Sequence, residues 1–510
     1  MQCIRSVVFY ILLWWWIPVP VTGQPKHAPT SYNILFIAVD DLRPELGAYG
    51  KSYMRTPHMD QLAHTGRVFL NHYVNVPTCG ASRYALLTGR LPQTPAALAN
   101  EAFETFTAGE PRKPQPESFA ELFRRNGYTT VGIGKISHAP DGKVYGYNAP
   151  VSARQELPNS WDAFYFDAGK WGTGWNAFFG YAGGANRQGM KNEVLPYEEK
   201  EVPDTAYPDG LTAQLAIAQL SALQKQGKPF LLAVGFFKPH LPFTAPKKYW
   251  DLYEEQALPL PASPDIPALV NRKSLHNSNE FNQYKKGIEH PSLKTPVSDA
   301  YARKLRHAYL AAVSYIDAQV GKVLDALAQT GLDKNTIVVL WGDHGWHLGD
   351  ERVWGKHTLS EYSLRSPLII RVPGMPAAGS PSARIVQSVD IYPTLLELAG
   401  LAPADTLDGQ SLYTALMRRP GRPEPSVAYS YFNRGISIRT NRYRLTKYYR
   451  KEMPVIELYD YSTDPNETRN QAVQYPSVVK QLLPLIENKK TSIEQYWKDK
   501  QPAAGADTRR

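Results

Sequence analysis

The sequence predicts an α/β fold, a doubly wound and mostly parallel sheet with a smaller C-terminal α+β domain. Three observations carry that expectation. Apolar runs of strand length recur through the first two-thirds of the chain without the alternation of a half-exposed strand, as in Asn33 to Val39 (NILFIAV). Such runs fit strands buried on both faces of a parallel sheet. Patterns with helical spacing lie between them. After a Pro- and Arg-rich stretch from Arg418 to Pro425, the apolar segments become shorter and alternate.

Taken in order, the run Asn33 to Val39 ends in Asp40-Asp41. A helix over Pro116 to Asn126 stops at Gly127 and leads into the run Tyr128 to Ile133, which ends in Gly134-Lys135 with His138 just beyond. A helix over Leu211 to Gln226 stops at Gly227 and precedes Phe230 to Phe237, which ends in Lys238-Pro239-His240. Glycine past a helical pattern marks a helix C-terminus. The longest helical pattern, Ala300 to Thr330, closes at Gly331 and precedes Thr336 to Trp341, which ends in Gly342-Asp343-His344. The C-terminal part predicts an antiparallel sheet from Val427 to Phe432, Ile436 to Thr440, Tyr443 to Tyr449 and Val455 to Tyr459, then one helix from about Pro476 to Lys498. The expected division is 1–23 leader, 24–425 main domain and 426–510 C-terminal subdomain.

The leader rests on Arg5, the apolar run Val7 to Trp16 and the small residues Val21-Thr22-Gly23. That run is short for a membrane span and fits a cleaved export signal. The protein is therefore expected in a periplasm or outside the cell, with no stable membrane span. The chain has 510 residues and 43% hydrophobic content, enough for a large core with a companion domain. Its formal charge of +10 points to an anionic partner. No helix-turn-helix, zinc-finger or RNA-binding signature appears, so nucleic acid is not expected. A sulfated or carboxylated polysaccharide fits better.

Ligands of such sheets bind outside the carboxyl ends of the strands. Here those ends carry Asp40 and Asp41, Lys135 and His138, Lys238 and His240, and Asp343 with His344. The carboxylates offer hard oxygen ligands for a divalent cation, and the cationic groups suit an anion. Of the two cysteines, Cys3 lies in the leader, which leaves Cys79 alone. A lone cysteine in an exported protein is a buried thiol, an intermolecular bridge or a chemical group. Arg83 lies one helical turn beyond Cys79, so both can face one pocket. The long connections Leu91 to Gln115, Ala139 to Asp209 and Thr244 to Ser298 are expected to shape that pocket, with Trp161, Trp171 and Trp175 as candidates to stack on a sugar.

These residues resemble the sulfatase family of the alkaline-phosphatase-like superfamily, and most of all its iduronate-2-sulfatase branch. The motifs are Val39 to Pro44 (VDDLRP), Cys79 to Arg90 (CGASRYALLTGR), Gly134-Lys135 with His138, Lys238-Pro239-His240, Asp343-His344-Gly345 and Trp354-Gly355-Lys356. The segment Arg439 to Arg444 with Glu457 to Asp460 resembles the family's C-terminal domain. The resemblance implies a sulfuric ester hydrolase acting on a sulfated sugar, with Cys79 converted to formylglycine by a maturation enzyme. It implies calcium held by Asp40, Asp41, Asp343, His344 and the oxygen of modified residue 79; the residue types alone equally admit magnesium or another hard divalent ion. It gives Arg83 the task of holding residue 79, and Lys135 and Lys356 that of gripping sulfate. It has His138 assist proton transfer at residue 79, and His240 protonate the leaving oxygen or position sulfate. Lys238 either contacts substrate or fixes the turn at Pro239. One departure is Ala81, where the family usually has proline. Two other readings keep these residues: a phosphate mono- or diester hydrolase, and a sulfated-glycan-binding protein whose Cys79 is never converted.

Overall fold

The computed structural model describes residues 31–108, 115–418, 426–489 and 492–499. The expected leader, most of the Arg418 to Pro425 stretch and the last residues lie outside them. Eight strands form the main sheet: β1 (Asn33–Val39), β2 (Arg67–Tyr73), β3 (Thr129–Gly134), β4 (Ala163–Tyr165), β5 (Phe230–Phe236), β6 (Thr336–Gly342), β7 (Leu368–Arg371) and β8 (Ser382–Gln387). Their spatial order is β8-β2-β7-β6-β1-β5-β3-β4. β1 lies at the centre, parallel to β5 with Ile34 opposite Leu231 and parallel to β6 with Asn33 opposite Thr336. β7 runs antiparallel to both its neighbours, so the sheet is mixed there and parallel elsewhere.

The reason β1 reads as an unbroken apolar run is visible in its two faces. Successive side chains of a strand point to opposite sides. Leu35, Ile37 and Val39 pack into a core with the long helix Asp299–Gln329, while Ile34, Phe36 and Ala38 pack into another with Phe119–Arg125 and Ile391–Ala399. The long helix begins where the Ser298 hydroxyl accepts the Tyr301 N–H, a standard N-cap. It is 31 residues long, and most of its residues are buried.

Four strands of the main sheet escaped the sequence reading; β4 is only three residues long. β2 mixes Arg67, Asn71 and His72 into its apolar residues, and β7 is only four residues long. β8 carries an irregular register against β2 between Ser382 and Ile385. The C-terminal sheet is a four-stranded antiparallel meander of Ala428–Phe432, Gly435–Arg439, Tyr443–Tyr448 and Ile456–Asp460. Two helices follow it, Pro476–Glu487 and Ser492–Asp499, in place of the single expected one. Ile486 and Trp497 from them cover Tyr431 and Leu445 of the sheet. Among the described residues no helix is long and apolar enough to cross a membrane.

Candidate active site

The carboxyl ends of β1, β3, β5 and β6 converge. Asp40, Asp41 and Asp343 are wholly buried there. Asp41 takes a left-handed backbone conformation with φ of 57°, unfavourable for a residue with a side chain. Two contacts hold it: its N–H donates to Asp343 Oδ1 at 2.9 Å, and the Tyr309 hydroxyl donates to its carbonyl at 2.7 Å. The result turns both adjacent carboxylates of the Asp40-Asp41 pair into one space.

Cys79 enters that space from the first residue of the helix Cys79–Thr88. Helix N-termini favour anions. The helix sits close to the segment ahead of it, because a side chain at Gly80 would meet the Asn100 carbonyl at 2.1 Å. It closes at Gly89, whose φ of 63° favours a residue without a side chain. Cys79 is buried and unbridged, and its Sγ lies 3.3 Å from His344 Nε2. Donor atoms of Asp40, Cys79, Asp343 and His344 lie within 4.8 Å of one another, and so do those of Asp40, Asp41, Cys79 and His240.

The electrostatics fit a cation. Burial alone would raise the Asp40 carboxyl, but Lys135 and Arg83 hold it well below the usual carboxylate range. Asp41 is pushed well up by burial despite Lys356, and Asp343 is pushed up by burial and by the charge of Asp40. Two of three crowded acids are thus short of positive charge, a deficit that a hard divalent ion among carboxylate oxygens relieves. The Cys79 thiol is pushed up to about 12 by burial and Asp40. An unmodified thiol here stays protonated near neutral pH and is a poor nucleophile.

Arg83 is fully buried beneath the acids. Its Nε donates to Asp343 Oδ2 at 3.1 Å, one terminal nitrogen donates to Asp40 Oδ1 at 3.2 Å, and the other donates to the carbonyls of Lys135 and Ile136. With its donors engaged, it positions the carboxylates and does not line the cavity. It is expected to hold residue 79 and help to neutralise charge; its contacts are with Asp40 and Asp343, whose charge it neutralises.

Above Cys79 opens a cavity of about 280 Å³, walled by Lys135, His138, His240 and Lys356 among others. Lys135 Nζ lies 2.5 Å from Asp40 Oδ2. Lys356 Nζ lies 2.9 Å from Asp41 Oδ1 and 3.2 Å from Glu280 Oε1. His240 faces the Leu241 carbonyl at Nδ1, 2.6 Å, and Glu280 Oε1 at Nε2, 3.0 Å. These two acceptors favour a protonated ring, but burial and Lys356 outweigh them and hold its pKa down to about 3. Burial and Lys135 likewise hold His138 well below its ordinary value, and its Nδ1 has no partner.

Lys238 is buried outside the cavity lining, and its ammonium donates to the carbonyls of His240 and Pro242 at 2.8 Å each. These bonds fit the second of its two expected roles, fixing the turn at Pro239. The structure corrects the expectation for the tryptophans. Trp171 and Trp175 pack with Phe178 and Phe237 behind the cavity, and Trp161 packs in the core beside Phe164. The rings that reach the cavity are Tyr147, Phe178 and Phe179. The sequence reading missed Glu280, which pairs with both Lys356 and His240, and Arg187, also in the cavity wall. Both come from long connections without periodicity. His357, next to Lys356, also lines the cavity.

A central sheet with acids, a helix-borne cysteine and histidines at its strand ends defines an alkaline-phosphatase-like fold. The sulfatase family model matches residues 32–401, and the model for the C-terminal part of N-sulphoglucosamine sulphohydrolase matches residues 342–492. The chain belongs to the sulfatase family and is a sulfuric ester hydrolase. A sulfatase of Formosa agariphila is 31% identical over 475 residues, covering 89% of this chain and 86% of that protein. Iduronate 2-sulfatase of Mus musculus is 29% identical over 510 residues, covering 87% and 89%. Among solved structures, one in complex with its substrate D-glucosamine-2-N,6-O-disulfate aligns with a TM-score of 0.67 at 22% identity, covering 93% of this chain and 100% of that one. Phosphonate monoester hydrolase of Agrobacterium radiobacter aligns with a TM-score of 0.66 at 22% identity, covering 91% and 96%. These two likenesses bear on the fold alone.

Proposed function

We infer that this protein removes sulfate from a sulfated sugar or polysaccharide after a maturation enzyme converts Cys79 to formylglycine, and that it works outside the cytoplasm. The observation that carries the reading is the place of Cys79: at a helix N-terminus, 3.3 Å from His344, amid three buried carboxylates and beneath a cavity with two lysines in its wall. Asp40, Asp41, Asp343 and His344 are the residues that would hold a divalent cation, with calcium the ion their hard oxygen donors suit. The cation supplies Lewis acidity, and the hydrated aldehyde of formylglycine supplies the nucleophile.

The other tasks fall to the cavity wall. The ammonium groups of Lys135 and Lys356 bind the sulfate oxygens and stabilise the charge that grows on them. His138, in the wall of the cavity that Cys79 also lines, is the group to move a proton at the residue 79 oxygen. His240, held neutral by burial and Lys356, positions the sulfate or the leaving sugar oxygen by hydrogen bonding. Arg83 orients Asp40 and Asp343 from below. The run from Arg5 to Gly23 supports export.

The test is mass spectrometry of the Cys79 peptide from protein made in its natural host, paired with an assay of sulfate release from sulfated sugars. A mass matching aldehyde in place of thiol, with sulfate released, is the expected result. An intact thiol in protein that still binds sulfated glycan would favour the non-catalytic reading. Release of phosphate in preference to sulfate from matched esters would favour the phosphate-ester reading.

A further inference from the structure

We propose that Arg187 forms a second anion subsite in the active-site cavity, which selects sugars carrying a carboxylate or a further sulfate beside the sulfate that is cleaved. The proposal rests on the sulfatase reading above and adds the substrate feature that this chain recognises.

Arg187 lines the same cavity as Cys79 and Lys356, yet it is only 4% exposed. Its guanidinium carbon lies 3.6 Å from the centroid of the Phe179 ring and 5.4 Å from that of Tyr284. Among the described residues it makes no ion pair; its Nε has no hydrogen-bond partner, and the side chain meets only the uncharged Tyr284 phenol as a polar neighbour. The other cavity cations are all compensated: Lys135 by Asp40, and Lys356 by Asp41 and Glu280. A buried charge without a counter-charge is costly unless something pairs with it.

The backbone fixes the group in place. The Arg187 N–H donates to the Phe179 carbonyl at 3.2 Å, and its own carbonyl accepts the Asn192 N–H at 2.9 Å. Gly180 and Asn186 bridge the same turn. Stacking on an aromatic face leaves the edge of a guanidinium, with its N–H groups, for a planar or tetrahedral oxyanion in two-point contact. Lys135 and Lys356 sit beside Cys79 and are committed to the sulfate under attack. Arg187 is therefore the surplus cation of the cavity, held apart for a second anionic group.

The test uses three probes: a monosulfated neutral hexose, a 2-O-sulfated uronic acid and a disulfated glucosamine. The full-length matured protein is compared with Arg187→Gln and Arg187→Lys. The intact protein should already prefer one of the doubly anionic sugars over the neutral hexose sulfate. Arg187→Gln should lower kcat/KM for that sugar roughly 10- to 100-fold, mainly through KM, and change the hexose sulfate less than about 3-fold. Arg187→Lys should recover part of the loss. Selective loss on the uronic acid identifies a carboxylate as the ligand, and selective loss on the disulfated sugar identifies a sulfate.

An equal loss on all three probes, or no loss on any, overturns the proposal. If the intact protein releases sulfate from none of them, the sulfatase reading fails separately. Calorimetric binding of the same probes then decides for Arg187: a weaker Kd confined to a doubly anionic sugar supports the subsite, and any other pattern overturns it.

Discussion

Cys79 and His344 are separated by 265 positions in the chain and meet at 3.3 Å, sulfur to Nε2. One is placed by a helix start and the other by the end of β6. Their meeting brings the candidate nucleophile into the carboxylate cluster, and the consequences are open to measurement.

Replacing Cys79 with alanine removes the atom that conversion acts on. Sulfate release should fall by about 10³-fold or more. The melting temperature should stay close to that of the parent, because a small buried side chain is exchanged for a slightly smaller one. Sulfate assays and thermal melts on the same preparation check both halves.

Arg83→Met should behave differently. Arg83 compensates Asp40 and Asp343 with its side chain fully buried, so its loss strands two carboxylates in the interior. Breaking a buried pair from one side costs about 3–5 kcal/mol. Denaturant unfolding should show a loss of that order together with lost activity, whereas Lys238→Met should lower stability with less effect on the chemistry.

Chelation should remove activity reversibly. Protein dialysed against a chelator should release no sulfate and recover on adding calcium. The cation would also stabilise the fold by about 2.7 kcal/mol at a concentration 100 times its Kd. The melting temperature should therefore rise with calcium in the parent and far less in Asp41→Asn, which lacks one charged ligand.

Acid should weaken the fold at a buried histidine that does not line the cavity. His72 is wholly buried between Ser366 and Ser388, and burial lowers its pKa from 6.5 to about 4. The unfolded chain therefore takes up a proton at His72 below pH 6.5, while the folded chain does not until about pH 4. The stability that His72 contributes is complete above pH 6.5 and declines across that window, by about 3 kcal/mol in total. His72→Gln should flatten the decline between pH 6.5 and 4 in denaturant melts.

Much of the site was legible because strands buried on both faces leave an unambiguous apolar stretch, and the polar residue that ends each one is conspicuous. Asp40, Lys135, His240 and Asp343 all stand at such endings. Arg187 and Glu280 were not legible, because the loops that carry them have no periodicity and their significance lies only in what they face. β2 and β7 were hidden for a related reason: polar residues interrupt one, and the other is too brief to register. The difference between Lys238 and Lys135 was equally invisible in sequence. Both follow a strand, but the turn at Pro239 directs the first toward carbonyls and away from the cavity.

The position of β1 has a consequence for how the molecule is made. It is the earliest strand to leave the ribosome, yet its two neighbours in the sheet, Phe230–Phe236 and Thr336–Gly342, are synthesised much later. Until residue 342 has emerged, one edge of β1 has no native partner, and a strongly apolar segment waits exposed. Fragments ending before that point should therefore aggregate, whereas the chain through residue 342 should not.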